Sequence, residues 1–205
     1  MKKAVFIAGL IVLLANVAYS QGTADVKMAA KISELNKIGI DTIMIYGPTT
    51  GGIITYTHFD ASPCYVYRND RFLIWIYQKH NFITLVDECY EYKILKDKIK
   101  PVADLLTAHL SEIIHEDIGK PTFKTMQNGK EKLEGLNVSD DMYYQLAFNL
   151  KGYTYVKSFG ESDLTTEYYD GRRNIYYDQN QQTYLKQVYD SMNKTFPRLK
   201  FKKKK

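Results

Sequence analysis

Apolar positions recur in this chain with two different periods, and the changes of period divide it into elements. From Ala24 to Ile38, the residues Met28, Ile32 and Leu35, with Ala29 beside them, recur at three- and four-residue steps. This predicts an amphipathic helix stopped at Gly39. Asp41 to Tyr46 then reads as a strand, Gly47 to Gly52 as a hairpin loop and Ile53 to Thr57 as its partner. A meander follows: a strand from Cys64 to Arg68, a turn at Asn69-Asp70, and a strand from Arg71 to Gln78. A second turn near His80-Asn81 leads to a strand from Phe82 to about Tyr92. The run Phe72-Leu73-Ile74-Trp75-Ile76-Tyr77 is apolar on both faces, so it belongs in the middle of a sheet covered on both sides. Trp75 is expected to lie deepest.

Pro101 suits the first turn of a helix, and Val102, Leu105, Leu106, His109 and Ile113 follow at helical spacing to about Ile118. The stretch from about 120 to 141 is polar and reads as a long loop. The period is two again in Tyr143 to Leu150, Tyr153 to Phe159 and Thr165 to Tyr169, and Gly171-Arg172 turns into Asn174 to Tyr177. A last helix over Asn180 to Asn193 sets Tyr184, Val188 and Met192 on one stripe. Runs of strands separated by single helices predict an α+β fold, an antiparallel sheet covered by about three helices in one domain spanning 21–193.

The first twenty residues carry an address. Lys2 and Lys3, an apolar run from Ala4 to Ala15, and the small residues Ala18 and Ser20 flanking Tyr19 have the layout of a secretory signal peptide. The run is too short to cross a bilayer core of about 30 Å. Removal after Ser20 is expected, with no membrane span left in the mature chain. The absence of a Cys after the run argues against a lipid anchor, so the protein is expected free in the periplasm or outside the cell.

Charge alters the picture only at the other end. Of the 205 residues, which together carry +5, the last acidic one is Asp190. Beyond it lie Lys194, Arg198, Lys200, Lys202, Lys203, Lys204 and Lys205 with no anion among them. A mildly acidic body with a basic tail lacks the spread of cations that a nucleic-acid binder needs. The tail, 194–205, reads as a solvated terminus. It is also a candidate contact with an anionic envelope surface, with Phe196, Leu199 and Phe201 entering that surface.

Candidate chemistry is sparse. Cys64 and Cys89 make an even pair in an exported chain and invite a disulfide. Two-residue turns would set Cys64 opposite Trp75 and Cys89 opposite Phe72, on opposite faces of nonadjacent strands; a bulge or a longer loop would reverse one of them. His58 and Asp60 point the same way on an extended segment, and with Cys64 and His80 they form the sharpest enzymatic set: a thiol nucleophile with an imidazole base, or a metal-dependent hydrolase. No spacing in the chain selects a complete metal site, and no cofactor is implied. His109 falls on an apolar stripe and reads as a boundary residue. His115-Glu116-Asp117 cannot converge on one ion, because successive helical positions diverge by about 100°. The glycines of 47–52 lack the Lys and Ser/Thr that complete a nucleotide loop.

The 18 tyrosines are the remaining peculiarity. Several come in pairs, and adjacent strand residues face opposite ways, so rings are left on an outer face. Tyr144, Tyr168, Tyr169, Tyr176 and Tyr177 are therefore the candidate contacts of a noncatalytic domain that binds a protein or a glycan. A structural envelope protein held by its basic tail is the third reading.

Overall fold

The computed structural model describes residues 23–40, 42–50, 71–87, 90–138, 141–150 and 153–204. The signal-peptide residues, the 53–57 and 64–68 strands, His58, Asp60, Cys64, Cys89 and Lys205 lie outside them.

The fold is α+β. A six-stranded antiparallel sheet runs in the order β4-β3-β2-β1-β7-β8, with β1 at Thr42–Thr50, β2 at Arg71–Tyr77, β3 at His80–Val86, β4 at Leu95–Lys96, β7 at Met142–Leu150 and β8 at Tyr153–Gly160. Helix α1 (Thr23–Lys37) covers one face, with Met28 and Leu35 packed on Ile43, Leu73 and Trp75. Helices α2 (Lys100–His115) and α5 (Tyr184–Thr195) cover the other, with Val102, Leu106, Ile113, Val188 and Met192 on Met44, Ile74, Ile83, Leu146 and Phe148. β2 is apolar on both faces because it is buried on both. Trp75 is buried but is not its deepest residue: Leu73 and Ile74 are fully buried, while the indole keeps a 4 % exposure and stacks on Phe82 at 5.4 Å.

Several expectations are corrected. The β2–β3 turn falls at Gln78 and Lys79, both with positive φ (49° and 65°), the mirror-image turn that matches strand twist. Asn81, read as a turn residue, is buried in β3, where its Oδ1 accepts the Ile99 N–H at 3.0 Å. Phe72 therefore pairs with Leu85, not with Cys89, and the register that set the two cysteines on opposite faces does not hold. β1 continues through the expected loop to Thr50. Pro48 lies opposite Tyr144 in the β1–β7 pairing.

The polar stretch 120–141 is a hairpin, β5 (Thr122–Gln127) and β6 (Lys130–Gly135). Asn128 and Gly129 make its turn with φ of 53° and 73°. The expected strand at 165–169 is instead helix α3 (Glu161–Thr165) followed by the two-residue strand β9 (Tyr168–Tyr169), which pairs with β10 (Arg172–Arg173). The expected strand over Asn174 to Tyr177 is a turn into helix α4 (Tyr177–Gln182). The last helix is thus two, broken at extended Thr183, whose hydroxyl accepts the Lys186 N–H at 3.2 Å and caps α5.

The C-terminal tail is part of the fold. A 3-10 turn at Phe196–Arg198 delivers Phe196, Leu199 and Phe201 onto the α2/α5 side of the core. The backbone beyond then pairs with 91–93: Lys93 N–H donates to Lys202 C=O and Lys204 N–H to Glu91 C=O, both at 2.8 Å.

Candidate functional site

Register decides which tyrosines can meet a partner. Tyr144 shares a face of the β7–β8 pair with Phe159 and points at α5. Its ring stacks on Tyr46 at 5.9 Å and meets Tyr189 edge-on at 4.8 Å. Only 8 % of Tyr144 is exposed. Burial pushes its hydroxyl far above the ordinary phenol range, reinforced by its bond to Tyr189; Tyr46 is raised by burial too. Tyr144 is a core residue, which corrects its assignment to a binding face. Tyr176 is half-buried against the backbone of Gly119, where a β-carbon would collide with its ring. Tyr177 is half-buried in the first turn of α4.

Tyr168 and Tyr169 are different. They are 60 % and 48 % exposed, at the end of a short hairpin turned by Asp170 and Gly171 at φ 51° and 71°. The base of this hairpin is fixed by buried Asn174. Its Oδ1 accepts the N–H groups of Thr122 (3.1 Å) and Tyr176 (3.0 Å), and its Nδ2 donates to Thr166 C=O (2.9 Å). Ile175 N–H donates to Thr122 C=O at 2.9 Å, which ties β9–β10 to the β5–β6 hairpin. Tyr169 lies over Phe123 at 5.8 Å. Arg172 covers the same ring at 5.9 Å while reaching Glu134 at 3.3 Å. Cross-strand partners share a face, so Tyr168 stands on the opposite side beside Arg173, which is held by Asp178 at 2.7 Å. Met126 and Leu133 are exposed on the face of β5–β6 opposite Phe123. Two hairpins with a locked base thus carry apolar side chains outward. Asn128-Gly129 and Asn174 were the signals in the sequence for this platform.

His80 found a partner that the sequence did not suggest. Its Nδ1 lies 2.8 Å from Asp97 Oδ2, and Asp97 Oδ1 accepts the Asn81 N–H at 3.1 Å. Asp97 adopts φ +54°. Partial burial pushes its carboxyl up, but the Asn81 N–H and the His80 ring outweigh that and hold it below the usual range. The pair opens on a cleft of about 710 Å³ between the β2–β3 turn and α2, lined by Lys79, Lys100, Ala103 and Thr107 among others. With Nδ1 turned to Asp97, the other ring nitrogen has no hydrogen-bond partner among the described residues. The hydroxyl of Thr107 in the lining is donated to Ala103 C=O at 2.8 Å. Among the described residues no three His, Cys, Asp or Glu side chains come together to hold a metal.

The remaining candidates have local partners. His109, where α2 is kinked, stacks on Tyr184 at 3.8 Å. Glu116 Oε2 accepts the Leu185 N–H at 3.0 Å, and Asp117 pairs with Lys157 at 2.9 Å, so the residues after His115 diverge. In the tail, Lys203 sits 3.2 Å over the Tyr90 ring and Lys204 pairs with Glu91 at 2.8 Å. Arg198, Lys200 and Lys202 remain exposed. No helix among the described residues is long and apolar enough to cross a membrane. The chain matches no protein-family model, no curated protein and no solved structure.

Proposed function

We propose that this is an exported, noncatalytic module that binds a protein partner through the β9–β10 hairpin and the adjoining β5–β6 hairpin. The basic head and apolar run of the first twenty residues support export. The observation that carries the binding reading is the contrast within the hairpin: Tyr168 and Tyr169 are largely exposed, while Asn174 beneath them is buried and makes three hydrogen bonds. A rigid base lowers the entropy lost on docking, and exposed aromatic rings on such a base are the usual anchors of an interface. Met126, Leu133 and Ile175, exposed on the same two hairpins and their base, offer no stacking surface to a sugar and favour protein over glycan.

The test is a photo-reactive residue at position 168 in the native host, with Lys100 as the control position. A discrete crosslinked protein at 168 and not at 100, whose binding in purified form is lost in Tyr168→Ala/Tyr169→Ala, supports the reading. Equal labelling at both positions contradicts it.

A hydrolytic reading rests on the His80–Asp97 pair, which has the geometry of an oriented base. His80→Ala abolishing hydrolysis of a generic ester panel by the purified chain is the result that would favour it.

A further inference from the structure

Among the described residues, the two edges of the main sheet are unlike. β4 at one edge is two residues long and is followed by the charged run Lys96-Asp97-Lys98, and short or charged edges discourage pairing. β8 at the other edge runs for eight residues. Its single charge does not guard it, since Lys157 is turned onto Asp117 and its side chain is only 15 % exposed.

The direction of the free backbone groups follows from Gly160. Its N–H donates to Asp163 Oδ2 at 2.7 Å instead of to β7, so Gly160 belongs to a pair that is not hydrogen-bonded across the ladder. Residues along an antiparallel strand alternate in this respect. Thr154, Val156 and Ser158 therefore direct their N–H and C=O groups away from β7. None of these groups has a backbone or side-chain partner among the described residues.

We propose that β8 pairs antiparallel with β8 of a second copy about a twofold axis at Val156, joining the two sheets edge to edge. The strand is complementary to itself in this register. Val156 meets its own copy, and Thr154 meets Ser158, both in hydrogen-bonded positions. On the other face Tyr155 lies opposite Lys157, and Tyr153 opposite Phe159. β-branched, hydroxyl and aromatic pairs of this kind stabilise neighbouring strands, and Lys157 never faces itself. The exposure of Val156, Tyr153 and Tyr155 in the single chain is the surface such pairing would cover. A strand-edge contact is smaller than a standard interface, so affinity on the order of micromolar is expected.

Sedimentation velocity of the purified protein over about 5 to 500 μM tests this, a range chosen to bracket a weak interface. The expected result is a mass rising from monomer toward dimer and no further, because a twofold contact closes. Val156→Lys places a charge against its own copy and should remain monomeric throughout, with unchanged far-UV circular dichroism. Val156→Pro removes only an outward N–H, so it should also be monomeric. Tyr168→Ala/Tyr169→Ala should dimerise as the parent does, which separates this contact from the hairpin platform. A parent that stays monomeric to the highest concentration, a dimer indifferent to both Val156 variants, or growth beyond the dimer overturns the proposal.

Discussion

Asn180 and Gly119 exchange a reciprocal pair of hydrogen bonds, the Gly119 N–H donating to Asn180 Oδ1 at 2.9 Å and Asn180 Nδ2 donating to the Gly119 C=O at 2.7 Å. Asn180 is completely buried and its Nδ2 also reaches the Asp163 C=O at 2.8 Å. One side chain therefore joins α4, the segment after α2 and α3 where no ladder connects them. Asn180→Leu keeps the branched shape and the number of heavy atoms but strands these backbone groups, at an expected cost of about 2–4 kcal/mol for several unsatisfied buried polar atoms. Urea unfolding of the two proteins measures it, and a difference below about 0.5 kcal/mol, the scale of an ordinary surface change, contradicts the assignment.

The docked tail predicts a stability effect where a solvated terminus predicts none. Phe201 lies 5.8 Å from Phe72 and 6.4 Å from Tyr92 and is half-buried. Phe201→Ala should cost about 1–2 kcal/mol, part of what a fully buried ring contributes. Lys203→Gln should cost less, about 0.5–1 kcal/mol, for loss of the cation over Tyr90. Melting curves of both variants check the order.

Two aspartates should respond to pH in opposite directions. Asp97 is held below its unfolded value, so its contribution is present above the ordinary carboxylate range and lost as pH falls through the folded value. Burial raises Asp163, with Asp141 adding to the effect against the Gly160 N–H. Between the unfolded pKa of about 3.9 and its raised folded value, the folded state holds the extra proton, and stability falls as pH rises. Unfolding midpoints from pH 3 to 7 should show a shallower loss toward acid in Asp97→Asn. In Asp163→Asn, whose amide oxygen can still accept the Gly160 N–H, the decline toward neutral pH should be removed.

Gly160 is required for space, since its φ of −83° suits any residue. A β-carbon would run into the Asp141 carboxylate, which cannot withdraw because Ser162 N–H and Oγ–H hold it at 3.1 and 2.6 Å. Gly160→Ala should cost about 1–3 kcal/mol, the usual penalty of overpacking. Adding Asp141→Ala should recover part of that, a non-additivity that a double-mutant cycle reads directly.

Hydrophobic periodicity made α1, β2, β7, β8 and the Pro101 helix legible, because each buries a regular stripe. It failed for β5–β6, where Phe123 is the one large side chain buried and β6 is exposed throughout. That hairpin is specified by turn chemistry at Asn128-Gly129, which a search for apolar alternation passes over. The tyrosines look alike in sequence. Tyr144 is distinguished from Tyr168 only by pairing register and by what α5 covers. His80 and Asp97 are 17 residues apart, brought together by the β3–β4 connection and by the unusual backbone of Asp97, neither of which leaves a spacing signature.

The partition of tyrosines between core and hairpin is tested by one side-by-side measurement. Tyr144→Ala and Tyr168→Ala/Tyr169→Ala are compared in thermal unfolding and in binding to the protein crosslinked at position 168. Tyr144→Ala should melt about 10 °C lower, as loss of a buried aromatic of roughly 3–5 kcal/mol implies for a chain of this size. The double variant should melt within about 4 °C of the parent, a loss of no more than about 1 kcal/mol, and should lose the partner. If the double variant binds as the parent does, or if Tyr144→Ala melts normally, the assignment of these residues is contradicted.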